Sequence, residues 1–91
     1  QAARDKLLSI AEHTTQTGRT YRITHMSPLG ITVEQYPVIT FAARFGGHGH
    51  VIASALAEHV IDVPYLRSIG VTHLRIDTFG PPCNSTDDIT V

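Results

Sequence analysis

The chain is short, nearly neutral and poor in cysteine. Its 91 residues are 42% hydrophobic and 16% charged, and seven Lys and Arg against eight Asp and Glu give a formal net charge of −1. This length fits one small domain with a single core, which we expect over residues 1–91. The charge balance gives no general attraction to nucleic acid or to an anionic membrane.

The low charged fraction favours a surface that is partly covered by a protein partner or by a second copy of the chain. Uncharged polar side chains, which are abundant here, are the alternative means of keeping the surface in water. No cofactor is expected, because no complete catalytic or ligand set is visible.

Cys83 is the only cysteine, so no intrachain disulfide forms and a reducing, cytoplasmic compartment is favoured. The start at Gln1 and the Asn84-Ser85-Thr86 sequon fit a processed and glycosylated secreted chain as the alternative. A fragment of a longer protein explains Gln1 equally well. No apolar run has the length of a membrane span or a signal peptide, so no membrane association is expected.

Residues 2–16 predict an amphipathic helix that ends at Gly18, a residue suited to the left-handed turn after a helix. The apolar face of this helix carries Ala3, Leu7, Ile10 and Ala11. Residues 19–25 then alternate as a strand with one wet face. The dry face of that strand carries Tyr21, Ile23 and His25.

Residues 27–30 have the Pro and Gly of a tight turn, which predicts a hairpin into the β-rich run 31–43. Pro37 cannot donate a ladder hydrogen bond, so it marks an edge, a bulge or a break. We expect the strongest strand pairing at residues 38–44.

A second amphipathic helix is predicted over residues 51–60, followed by a short helix over 64–69 that Gly70 ends. The face assigned to the core in the second helix carries Ile52, Ala55, Leu56, His59 and Val60.

Residues 71–77 alternate as a strand that places Leu74 and Ile76 in the core. The opposite face carries His73, Arg75 and Asp77. Residues 79–88 have loop composition, and a final strand is predicted at 89–91. This order predicts an α+β domain, with two to three helices packed on one face of a mainly antiparallel sheet of three to four strands.

Chemistry is most concentrated in residues 46–50, where Gly47, His48, Gly49 and His50 lie between a strand and a helix. Glycine N–H groups at a helix start bind anions, and two histidines spaced by two on extended backbone could share a metal ion. A third metal ligand is missing. The structural alternative is a sharp strand-to-helix turn that carries two exposed histidines.

A phosphoryl-transfer or nuclease-like enzyme would use His48 and His50 as acid and base, with Arg44 or Arg75 bracing a phosphate. A ligand sensor would instead bind an anion or a metal at residues 46–50. His73 is a further weak catalytic candidate. The row His73, Arg75 and Asp77 is more typical of the solvated outer face of a sheet or of a partner contact.

The leading hypothesis is a non-catalytic interaction or assembly module that self-associates, or docks on a protein partner, through the open edge of its sheet and its apolar, charge-poor faces. Its expected interface includes Val38, Thr40 and Arg75, because an apolar edge strand needs a cover. The alternative is the histidine-dependent anion or metal site at residues 46–50.

Overall fold

A computed structural model describes residues 2–28, 38–42, 44, 46–81 and 83–91. Within these residues the chain forms three helices and four strands, which confirms the α+β class. In chain order they are α1 (Ala2–Thr17), β1 (Thr20–Met26), β2 (Ile39–Ala42), α2 (Gly49–Val60), α3 (Val63–Ser68), β3 (His73–Phe79) and β4 (Ser85–Thr90).

The four strands form one antiparallel sheet in the order β2-β1-β3-β4. Helices α1 and α2 pack on one face of it, around Tyr21, Ile23, Leu74, Ile76 and Ile89. We call the other side the outer face. The register places Thr40, Arg22, Asp77 and Thr86 in one row across it, and Thr24, Arg75 and Asp88 in the next.

Helix α1 confirms the predicted span and its end at Gly18, whose φ is +69°. Ala3, Leu7 and Ala11 are buried as expected. The burial of Thr14 and Thr15 was not predicted. Both hydroxyls donate to carbonyls four residues earlier, at 2.8 Å, so burial leaves neither of them unpaired.

The predicted buried face of α2 was wrong in all but one residue. The buried residues are small apart from one, and they are Gly49, Ala53, Ala57 and Val60. Of the other residues, Val51 is 64% exposed and Ile52 is 36% exposed, Ala55 and His59 are also exposed, and Leu56 is half-buried. Small residues at every fourth position let α2 approach α1 closely, and this contact decides which face is buried.

Gly49 lies at a close contact between the two helices. A Cβ atom at this position would overlap Thr15 Oγ1 and would lie 3.2 Å from Phe41 Cε1 and 3.3 Å from the Ala11 carbonyl oxygen. The glycine is therefore required for packing, whatever else the segment around it does.

The loop predicted for residues 79–88 was wrong at both ends, because β3 continues to Phe79 and β4 begins at Ser85. The polar composition of β4 reflects an edge strand, in which alternate residues face water. Its residues pair with β3 from Thr78↔Ser85 to His73↔Thr90, and this pairing overrides their low strand propensity.

A buried arginine holds the turn between β3 and β4. Arg19 is 5% exposed, and its Nη2 donates to the Thr78 carbonyl at 3.2 Å and to the Cys83 carbonyl. Gly80, with a φ of +123°, passes beside its side chain, where a Cβ would lie 3.3 Å from Arg19 Cγ. Sequence reasoning did not identify this role.

The remaining element predictions agree with the structure to within two residues, where the structure describes them. Strand β1 and helix α3 are confirmed, and Gly70 closes α3 with a φ of +88°. Strand β2 falls inside the predicted 38–44. Pro37 and the other residues of 29–37 lie outside the described part of the chain, and so does residue 43.

Tyr21 and His25 are polar side chains of the sheet that are buried on the helix side. Tyr21 packs against Phe41 with ring centroids 5.3 Å apart, and burial raises its pKa to about 12. His25, which the sequence placed on the dry face of the strand, is 1% exposed. Its Nε2–H donates to the Val60 carbonyl at 3.0 Å, so β1 is joined to the end of α2.

Replacing Gly49 with Ala should lower the free energy of unfolding by about 2 kcal/mol, because the added methyl overpacks the α1–α2 contact. Urea denaturation measures the change. In the Thr15→Ala background the same substitution should cost less, since the overlapping hydroxyl is gone. An equal cost in both backgrounds would contradict the assigned contact.

His25 should make the fold sensitive to mild acid. Burial lowers its pKa below the ordinary value of 6.5 for histidine, with the Val60 hydrogen bond acting as a smaller opposing effect. The unfolded chain therefore takes up the proton first, and the free energy of unfolding should fall as the pH drops below about 6.5. Urea titrations at several pH values should show a shallower fall in His25→Gln. The exposed His13→Gln should retain the wild-type slope.

Candidate functional site

The backbone N–H groups of the glycine–histidine segment (residues 46–50) are partly used inside the protein. Gly46, with a φ of +71°, donates to the Thr15 carbonyl at 3.0 Å, and Gly47 donates to the Arg44 carbonyl at 2.8 Å. These two N–H groups hold the turn against α1. They are not available for the anion that the sequence suggested.

His48 and His50 do not lie on extended backbone, because α2 begins at Gly49. His48 is the N-cap residue and makes no side-chain capping bond. The His50 ring turns towards α1, where its Nδ1 lies 3.3 Å from the Leu8 carbonyl oxygen. Across the described residues, no group of three or more His, Cys, Asp and Glu is placed to hold a metal ion.

His73 lies at the start of β3 on the outer face, and its Nδ1 is 2.9 Å from Thr72 Oγ1. His48 precedes α2, which packs on the opposite face. The fold therefore does not gather the three histidine candidates into one site.

The outer face instead brings together charged side chains from three strands. Arg22 Nη2 lies 3.3 Å from Asp77 Oδ2, and the Asp77 Oδ1 accepts a hydrogen bond from Thr86 Oγ1 at 2.8 Å. The Arg22 guanidinium also lies 5.0 Å from the centroid of the Phe79 ring, which is cation–π distance. Asp77 is consequently held from both sides.

Arg75 is held more weakly. Its Nε lies 3.5 Å from Asp88 Oδ1, within ion-pair distance, and the two side chains are 40% and 54% exposed. An exposed pair of this kind contributes little to stability. Of these two outer-face arginines, Arg75 therefore makes the weaker contacts with its neighbours.

A depression of about 290 Å³ lies between these arginines. It is lined by Arg22, Thr24, Met26, Val38, Arg75 and Asp77. Two of the three interface residues expected from the sequence, Val38 and Arg75, lie here, and Thr40 pairs with Arg22 beside it. Arg22, Thr24 and Met26 were not among the expected site residues.

Only part of this depression had a signal in the sequence. Alternation in β1 placed Arg22 and Thr24 on the wet side of a strand. Alternation in β3 did the same for Arg75 and Asp77. That the two strands are neighbours, with Thr24 opposite Arg75, is a property of the sheet order that neither local pattern contains.

The edge of the sheet at β2 is the other functional candidate. Strand β2 is outermost and pairs with β1 alone among the described strands. Residues 38–42 are all uncharged, and Val38 is 48% exposed.

None of the helices in the described ranges is both long and apolar enough to cross a membrane. Comparison of the chain with protein-family models, with curated proteins and with solved structures finds no match.

Proposed function

We propose that the domain is a non-catalytic assembly module that self-associates by pairing the β2 edges of two copies. The observation that carries this proposal is the open outer edge of β2, which none of the described residues pairs with. An uncharged edge strand presents N–H and C=O groups to any second strand, and proteins usually block such an edge.

The opposite edge of the sheet differs in the ways that make pairing unfavourable. Strand β4 carries Asp87 and Asp88, which would face like charges in a symmetric antiparallel pair. The Lys6 ammonium also donates to the Asp88 carbonyl at 2.8 Å, so one backbone acceptor of β4 is already engaged. This contrast between the two edges supports β2 as the contact strand.

Antiparallel pairing of two β2 strands about a two-fold axis would make one continuous eight-stranded sheet. Such an interface is isologous, since the same surface serves both copies. Val38 and Thr40 would add side-chain contacts beside the backbone ladder. Arg75 lies two strands away from this edge, so its expected place in the interface stays a prediction.

Replacing the exposed Thr40 with Lys should weaken self-association at least about tenfold, because each copy brings a cation to the shared edge. Native mass spectrometry and light scattering over a dilution series measure the dissociation constant. The matched control is Thr90→Lys, which adds the same charge to the exposed β4 edge and should leave the assembly unchanged.

Circular dichroism of each variant checks that the fold persists. A wild-type chain that stays monomeric at the highest soluble concentration would refute the proposal, as would equal weakening by both substitutions.

The alternative expected from the sequence, a histidine-dependent anion or metal site at residues 46–50, stays a prediction. The contacts of Gly46, Gly47 and His50 within the protein make it the less supported of the two functions.

A further inference from the structure

We propose that the outer-face depression binds a small organic monocarboxylate with an apolar body, and that Arg75 is its anion-binding residue. The proposal does not rest on self-association. It follows from the position of Arg75, whose ion pair with Asp88 is weak, beside apolar side chains and a hydroxyl group that line the same depression.

The cation is Arg75. Its contact with Asp88 uses Nε at 3.5 Å, beyond the length of a charge-assisted hydrogen bond, and its Nη atoms make no hydrogen bond within the described part of the chain. A ligand carboxylate can receive both N–H groups of one side of the guanidinium, which is the geometry that arginine favours.

Arg22 is the second cation of the depression and is diagonal to Arg75, because Arg22 pairs with Asp77 and Thr24 pairs with Arg75. Diagonal neighbours in an antiparallel pair are about 7–8 Å apart. Arg22 contacts Asp77 through Nη2 alone. Its charge therefore also attracts an anion, although its position is fixed by the existing pair.

Two side chains supply the apolar part of the site. Met26, which is 5% exposed, and Val38, which is 48% exposed, both line the depression. Thr24, which is 9% exposed, is also part of the lining and carries a hydroxyl group. Pockets that bind small molecules combine apolar side chains with a few convergent polar groups, and about 290 Å³ is near the lower end of their volumes.

The charge balance disfavours an anion that carries more than one charge. Two arginines and Asp77 line the depression, which gives a charge of +1, and Asp88, which contacts Arg75, brings the sum to zero. A phosphate dianion would meet both carboxylates, whereas a monocarboxylate needs to displace only Asp88 from Arg75. A long polyanion such as nucleic acid is disfavoured for the same reason.

Benzoate is a suitable probe, because it joins one carboxylate to a compact apolar ring. Titration into ¹⁵N-labelled protein should shift the amide signals of Thr24, Met26 and Arg75 and should saturate. Acetate should bind at least about tenfold more weakly, since it lacks the ring that covers Met26 and Val38. Inorganic phosphate should bind no better than acetate. Equal binding of benzoate and acetate would overturn the apolar part of the site.

One variant should weaken benzoate binding and another should strengthen it, and together they test the role of Arg75. Arg75→Gln should weaken benzoate binding about tenfold or more, whereas Arg67→Gln, on the exposed side of α3, should not. Asp88→Asn should strengthen binding about threefold, because it removes the carboxylate that competes for Arg75. Its control, Asp87→Asn, makes the same charge change on the face of β4 that is turned away from the depression.

The absence of saturable shifts with benzoate would refute the site. Equal effects of Asp88→Asn and Asp87→Asn would reduce the role of Arg75 to a general effect of net charge. Light scattering on the same samples records the oligomeric state, so loss of ligand binding and loss of self-association are measured separately.

Discussion

The pairing of β1 with β3 determines both faces of this domain. On the helix side it sets Ile23 opposite Ile76 and His25 opposite Leu74, which forms the centre of the core. On the outer side the same register sets Arg22 opposite Asp77 and Thr24 opposite Arg75. A shift by one residue would exchange the two faces, so the core and the depression are specified together.

Local patterns predicted the elements well where one residue type decides the structure. Gly18 and Gly70 end α1 and α3 with positive φ, and alternation in β3 placed Leu74 and Ile76 in the core. The buried face of α2 could not be predicted from hydrophobicity, because close contact with α1 selects Gly49, Ala53 and Ala57 over larger neighbours. Small residues at every fourth position were the signal that a ranking by apolar size overlooks.

The two candidate sites also differ in how far local sequence patterns could predict them. The glycine–histidine segment was conspicuous in the sequence, yet Gly49 serves helix packing and Gly46 and Gly47 hold a turn. The outer-face depression could not be recognised as a unit, because Met26 comes from β1, Val38 immediately precedes β2 and Arg75 comes from β3. The sequence shows where reactive residue types lie along the chain, whereas the order of the strands in the sheet determines which side chains are neighbours.

The central position of β1 also bears on how the chain folds during synthesis. Strand β1 is synthesised before β3, its partner on one side, and the two strands are far apart in sequence, with Thr20 pairing with Phe79. Until β3 leaves the ribosome, β1 has at most β2 beside it, and one of its edges stays open. Pairing across such a sequence separation is slow to form, so the nascent domain should depend on chaperones more than a helical bundle of equal length does.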